Sequence, residues 1–453
     1  MGRLLKGGLA LGGTVLALGA LRRALNPSPR YAPWEKPRYD EFENKVLVVG
    51  GGFGGFTAAK EICKRIRDRE DVGVLLVAKD NFFTFWPMVA GIVSSDIDSR
   101  NVAQPLRRAL ITSGASFRRA QLRDINHENK TVTVDGGVEF PYDHLVIALG
   151  GQPNFFGIPG VEEHALTMRG IEDAEQIRNR VIERFEEVSL MRGEIPESKL
   201  TFVVIGGGAT GVETASELYN LVHEALEPDY PNIDPHRVRI FLLEALDHIL
   251  PELDPALRRA ARTRLQNQRI EVRTGAMAEE ITGDCVKLKG GDNISTENVI
   301  YDFGLPADER NGIKVDEYLR VEGHTNIWAV GDCAAIPDTR EENGRGVPPT
   351  AQAAVQEGKV VAKNILATID GKEDEMEPFE YRPLGQLVEL GSDFAVNDVM
   401  GVRFTGTLAA IFWRLAYLTR LDSPQSKAHQ ATDWLMGYLM RPAVTQVRGT
   451  SEE

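Results

Sequence analysis

Two glycine-rich runs on one chain have the spacing that cradles phosphates. They are Val-Val-Gly-Gly-Gly-Phe-Gly-Gly at 48–55 and Val-Ile-Gly-Gly-Gly-Ala-Thr-Gly at 204–211. Gly50, Gly52 and Gly55 supply a G-x-G-x-x-G set in the first, and Gly206, Gly208 and Gly211 repeat it in the second. In such a set the first glycine makes a tight turn and the second lets backbone approach a pyrophosphate. The third lets helix and strand pack closely. The apolar residues 45–49 and 200–205 read as buried parallel strands. Residues 57–67 and 212–223 read as the helices that follow, whose N-termini aim unpaired N–H groups at an anion. One such loop holds one dinucleotide. Two on one chain point to a flavin dinucleotide paired with a nicotinamide dinucleotide, and so to electron transfer.

An acid at the end of the next strand would accept from an adenosine ribose 2′-OH and repel a 2′-phosphate. In the second unit that strand is 238–243 and the acid is Glu244, which favours NAD(H) over NADP(H). Its distance from the loop exceeds the usual ~20 residues, and the insertion 227–238, with three prolines, accounts for the excess. In the first unit, after the strand 72–77, Ala78 stands where the acid is expected. Lys79 and Asp80 follow, and either could serve the ribose or neither; Lys79 is counted among the FAD-binding candidates.

Composition narrows the class. A chain of 453 residues suggests two or three domains. A net charge of −14 argues against nucleic acid as a partner. Cys63, Cys285 and Cys333 form no C-x-x-C pair, which argues against a redox-disulfide reductase and for a reducing compartment. The eight histidines show no ligand spacing, so no metal is expected.

Two regions depart from the soluble pattern. Residues 4–21 are almost all apolar or Gly; as a helix they span about 27 Å, marginal for a ~30 Å hydrocarbon layer. They read as an anchor, a cleaved signal or a Gly-rich tail. As an anchor, their flanking Arg and Lys place the catalytic body on the cytosolic, NADH-containing side. A Pro-rich linker, 27–37, follows. The second region is C-terminal: residues 401–450 carry six Lys/Arg against two Asp. On a helix, Phe404, Leu408, Ile411, Leu415 and Leu418 form one stripe, with Arg403 and Arg414 off it and Trp413 and Tyr417 nearby. The segment 434–440 adds further apolar residues. The pattern suggests an interfacial membrane helix, the alternatives being a helix packed on the body or a homodimer interface.

Several longer runs resemble those of one family. They are VLVVGGGFGG and FFTFWPMVAG, then YDHLVIALGGQPNFFGIPGVEEHA and VVIGGGATGVETASEL, and finally IWAVGDCA and VPPTAQAAVQEG. From about residue 45 to about 440 the chain resembles the type II NADH dehydrogenases, single-chain flavin NADH:quinone oxidoreductases. The resemblance implies FAD at Gly50, Gly52, Phe53, Gly54, Gly55 and Gly150. Asp332 would bond the ribityl or phosphate end, and Ala351 and Gln352 would lie beside the ring. Gln352 and Gln356 match an AQxxxQ quinone signature, four apart on one helix face. Glu213 matches an acid beside nicotinamide and flavin, against a plain reading as a solvated helix-start Glu. Gly304 would touch NADH. Two departures stand out: Ala78 replaces the acid used by many members, and Tyr301-Asp-Phe-Gly304 replaces a Trp-x-Ala-Gly segment near the nicotinamide. The loop 305–312 is also short.

The expected fold is α/β, with two Rossmann-like dinucleotide-binding domains and C-terminal amphipathic membrane-associating helices. The FAD domain, 43–165 and 295–400, is interrupted by the NAD(H) domain, 166–294. Residues 1–42 hold the anchor and linker, and 401–453 the membrane-associating region. The expected reaction passes hydride from NADH to the flavin and two electrons on to a membrane quinone, without proton pumping. Three alternatives remain in view. A soluble NADH-dependent flavin reductase would use another acceptor. A sulfide:quinone oxidoreductase would need a cysteine pair at the flavin, for which Cys63 and Cys333 are ill placed. A slow-turnover FAD-bound signalling or scaffold protein would suit the altered 301–304 segment.

Overall fold

The computed structural model describes residues 38–302, 312–337, 346–441 and 444–446. The expected anchor 4–21, the linker 27–37, Gly304 and nearly all of the short loop 305–312 lie outside the described residues.

β1 (Asn44–Val49) feeds α1 (Phe53–Arg65), which returns to β2 (Val72–Ala78), with β3 (Ser116–Arg119) and β4 (His144–Ile147) after it. The plan then repeats. β5 (Ala165–Thr167) and α2 (Ile171–Leu190) lead into β6 (Thr201–Ile205), α3 (Ala209–Asn220) and β7 (Arg239–Glu244). α4 (Pro255–Asn267), β8 (Ile270–Thr274) and β9 (Asn298–Tyr301) complete the copy. The chain goes back to the first sheet with β10 (Ile327–Ala329) and then forms α5 (Ala351–Ile369).

Both sheets are five-stranded and parallel, in the orders β10-β4-β1-β2-β3 and β5-β9-β6-β7-β8. Strands covered on both faces read as unbroken apolar runs, and Val46 to Val49 and Phe202 to Val204 are buried. The duplication extends to the third connection. In each unit a three-stranded antiparallel meander stands between the third and fourth strands of the βαβ plan, at Leu122–Asn126, Thr131–Val134 and Glu139–Pro141, and at Ala278–Ile281, Cys285–Leu288 and Asn293–Ser295.

The second sheet is wider than expected. β9 pairs with β6 and β5, so the second unit runs past the expected boundary at 294 to Tyr301, and it starts at Ala165. A buried parallel strand looks the same in either sheet, so pattern alone cannot assign it. Both helices also start earlier than expected, at Phe53 and Ala209, because the last residues of each glycine loop are already helical.

Beyond α5 lies a three-stranded antiparallel sheet, β11 (Gly385–Glu389), β12 (Ala395–Val399) and β13 (Val402–Gly406), followed by α6 (Thr407–Arg420) and α7 (Pro424–Leu439). Phe404, expected on the helical stripe, is in β13, where Val402-Arg-Phe-Thr alternates and pairs with β12. Trp413 is only 2% exposed, and Trp434 is buried near it, so these rings fasten the helices to the body rather than sitting at an interface. Tyr417 joins them, edge-on to Trp413 and to Phe85. The outward face carries Leu408, which is 77% exposed, with Ile411, Phe412 and Leu415 at i, i+3, i+4 and i+7. Leu435, Tyr438, Leu439 and Met440 at the end of α7 are also exposed. Among the described residues no helix is long and apolar enough to cross a membrane.

Candidate functional site

The register sets where ligands can bind. Val49, Val77 and Ile147 lie level at the carboxyl ends of β1, β2 and β4, and Ile205, Leu243 and Tyr301 do the same on β6, β7 and β9. In each sheet the strand order reverses beside β1 or β6. Open α/β sheets bind ligands in the crevice outside the carboxyl ends at that reversal.

Each crevice holds one glycine loop, and the three glycines do three jobs. Gly50 has φ +111°, and a Cβ there would stand 2.0 Å from the Ala148 carbonyl oxygen. Gly206 has φ +120°, with its Cβ position 2.3 Å from the Asp302 carbonyl oxygen. Any side chain would be excluded twice over, by strain and by the neighbouring strand. Gly55 and Gly211 press against the backbone of their own loops, 2.1 Å from the Gly50 oxygen and 2.0 Å from the Gly206 oxygen. Gly52, by contrast, has nothing within 4 Å of a Cβ, and Gly208 only an Asp302 oxygen at 3.9 Å. The open side of both loops is the side a pyrophosphate would take, at the start of α1 or α3. That fits an adenine dinucleotide in each cradle.

Glu244 ends β7 and folds back over the second loop, its two carboxylate oxygens accepting from the Gly207 and Leu246 N–H groups, each at 2.7 Å. In the first unit the same place, against Gly51, is filled by the Ala78 methyl. Lys79 is turned to solvent beside Asp80, so the first loop meets a methyl group where the second meets a carboxylate. Gly54, expected in the flavin cradle, has its Cβ position against Val330 and the α5 backbone. Phe53 opens α1 edge-on to Phe83, ring centroids 4.6 Å apart. Gly150, at φ +75°, lies on the exposed turn just beyond β4. Asp332 lies on the turn Gly331–Cys333 directly after β10, and the Gly331 N–H there is held by the buried carboxylate of Glu357 on α5.

Ala351 and Gln352 form the first turn of α5, capped by the Thr350 hydroxyl. Gln352 and Gln356 do share a face, and both are engaged. Gln352 accepts from the Leu384 N–H and donates to the Gly385 carbonyl. Gln356 accepts from the Arg382 N–H at 3.0 Å and donates to the Arg382 carbonyl at 2.8 Å. The two amides therefore clamp the segment leading into β11. α5 lies against α1 through Gly358, whose Cβ position is 2.6 Å from the Gly54 oxygen. Sequence reasoning gave Gly358 no role, although a glycine inside a helix is itself a signal of close approach.

Glu213 is not a solvated helix-start acid. Its surface is partly open but its carboxyl is enclosed, and it accepts from the Glu389 N–H at 3.2 Å. Burial pushes its pKa up to about 8, the Glu389 N–H pulls it back, and Glu217 and Asp302 add to the rise. Glu217, one turn on, is pushed up to about 8 by burial and by Asp96, and buried Glu389 lies well above the usual carboxylate range for the same first reason. Arg414 of α6 joins this cluster, Nη2 at 3.2 Å from Asp96 and Nε at 3.3 Å from Glu389. The sequence hid the cluster because its members come from four separate stretches. Asp302, next to Tyr301, was likewise missed as a site residue.

Residues 44–358 match the sequence profile of the pyridine nucleotide-disulphide oxidoreductases. A "Probable NADH dehydrogenase" of Dictyostelium discoideum is 32% identical over 410 residues, covering 86% of this chain and 88% of that one. The "Type II NADH:quinone oxidoreductase Ndh" of Mycobacterium tuberculosis is 28% identical, covering 91% of each. In structure, NDH2 of Plasmodium falciparum, solved in complex with NADH, aligns with a TM-score of 0.80 at 21% identity, over 89% of this chain and all of the other. The repeated glycine cradle, the doubly wound sheet order and these likenesses agree: the chain belongs to the pyridine nucleotide-disulphide oxidoreductases and, within them, to the type II NADH dehydrogenase family.

Proposed function

We propose that this chain oxidises NADH and reduces a quinone at a membrane surface, holding FAD in the cradle of β1 and α1 and receiving NADH in that of β6 and α3. The observation that carries this reading is the pair of cradles on one chain, each open on its pyrophosphate side, with Glu244 over the second alone. FAD, when bound, supplies a two-electron carrier between a hydride donor and a quinone. The chain's own residues do the positioning. Gly50, Gly52 and Gly55 would take the FAD pyrophosphate, with Asp332 and Gly150 at the neighbouring strand ends. Glu244 accepts from the NADH ribose hydroxyls. Burial pushes the Glu213 carboxyl up to about 8, which favours a neutral group over a charge at the site near neutral pH. Gln352 and Gln356 border the quinone path through the segment they clamp. The apolar face of α6 and the end of α7 meet the lipid headgroup region.

The test is purified protein with NADH and a short-chain quinone, with and without liposomes. Expected are a yellow protein that releases FAD, quinone reduction, and co-sedimentation with the liposomes. A colourless protein with no quinone reduction in any condition overturns the reading.

A further inference from the structure

The two units follow one backbone plan, so their differences show what each cradle is built to hold. Ala148 and Asp302 occupy the same place in the two copies. Each follows the strand beside the loop, each presents its carbonyl to the first glycine, and each side chain faces the third. Ala148 offers Gly55 a methyl group, its Cβ 3.0 Å from the position of a Gly55 Cβ. Asp302 offers a carboxylate: its Oδ2 accepts from the Gly211 N–H at 2.9 Å and stands 3.9 Å from the position of a Gly208 Cβ. Gly211 is in the first turn of α3, where unpaired N–H groups and the positive end of the helix dipole draw phosphates. An acid has been set in the mouth of the anion site.

We propose that Asp302 charges the second cradle against its own ligand, so that NADH binds to the form with Asp302 neutral and takes up a proton on entering. This rests on the assignment of that cradle to NADH. Among the described residues, the groups facing Asp302 are acidic. Glu244 reaches over from β7, Glu213 lies along α3, and Tyr301 precedes it on β9. Among the described residues no ion pair reaches it. Burial pushes its pKa up to about 7, the Gly211 N–H opposes the rise and Glu244 adds to it. A pyrophosphate arriving at the same helix end brings two more negative charges and raises it again. Ionisation of Asp302 therefore weakens binding, and the affinity falls as pH rises through neutrality.

The test is calorimetric titration of NADH into anaerobic full-length protein pre-reduced with dithionite, so that NADH binds without reacting. It is run between pH 6 and 8.5, in buffers of different ionisation enthalpy. For the wild type, Kd should rise about tenfold from pH 6 to pH 8, with uptake approaching about one proton per NADH at pH 8. Asp302→Asn keeps an acceptor for the Gly211 N–H, and Asp302→Ala copies the first unit. Either should bind NADH more tightly at pH 8 and show a flatter slope and a smaller proton uptake than the wild type, Glu213 accounting for what remains. A wild type that binds NADH with the same slope and uptake as both variants overturns the inference while leaving the cradle assignment intact. A wild type that binds no NADH at any pH overturns the assignment and the inference together.

Discussion

Arg414→Met removes the cation shared by Asp96 and Glu389 while keeping a long side chain in the same slot. The side chains involved are 14%, 22% and 7% exposed, so the pair is buried. Breaking such a pair from one side costs about 3–5 kcal/mol, because the partner charges are left uncompensated. For a chain this long, roughly 1 °C of Tm is lost per kcal/mol, which gives a drop of about 3–5 °C at pH 8. The sign of the pH dependence follows from the carboxyls. Burial already holds Asp96 and Glu389 above their unfolded values. The stability they contribute is present below the ordinary carboxylate range and is lost as pH rises through the folded values. Without Arg414 those values climb further, so the loss with pH steepens. Thermal unfolding at pH 5.5 and pH 8 should show a larger difference between variant and wild type at pH 8. An equal difference at both pH values would refute the electrostatic account. It would mean that Arg414 acts through its stacking on the Trp434 ring, 5.3 Å from the guanidinium carbon.

Two further substitutions address the proposed chemistry. Glu244→Arg should raise the NADPH-to-NADH ratio of kcat/KM by about tenfold or more, since it exchanges repulsion of a 2′-phosphate for attraction; an unchanged ratio in steady-state assays removes Glu244 from ribose recognition. Gln352→Phe should slow reoxidation of the reduced protein by quinone in stopped-flow measurements and leave reduction by NADH near the wild-type rate, whereas equal slowing of both half-reactions would assign Gln352 to seating the flavin.

The cradles were legible because a tight turn at φ above +110° and a helix pressed on its own loop admit only glycine, and the spacing of Gly206, Gly208 and Gly211 repeats that of Gly50, Gly52 and Gly55. The place of Glu244 over the second loop was legible despite its displaced position, because a strand-end acid beside such a loop has few other places to point. The orientation of α6 was not. The helix is apolar on two sides, Leu408, Ile411 and Leu415 on one and Ala409, Ala410 and Trp413 on the other. Periodicity finds a stripe without saying which stripe meets the body. The small alanines decide it, since they let the helix lie close, and the large Trp413 ring fills what remains. Asp302 escaped notice for a different reason. Its hydrogen bond to Gly211 spans 91 residues, and in sequence it reads only as a departure from a familiar segment.

The two units differ in charge at two matching places beside their loops. Ala78 and Ala148 line the first loop with methyl groups, while Glu244 and Asp302 line the second with carboxylates. The helix starts and glycine turns are otherwise alike, so the backbone attraction for a pyrophosphate is alike too. On the cradle assignment proposed above, the difference in charge would set a difference in residence. A dinucleotide in the first cradle would meet methyl groups at the two places where the second offers carboxylates, Asp332 lying on the separate turn after β10, which would suit a cofactor that stays through every turnover. One in the second would meet two acids, of which Glu244 would be repaid by the proposed ribose hydroxyls and Asp302 would not. Its affinity would be lowered by the part that Asp302 contributes, which would suit a substrate that must leave as product each cycle. On this view the same fold, used twice, is tuned to retention and to release by two pairs of side chains.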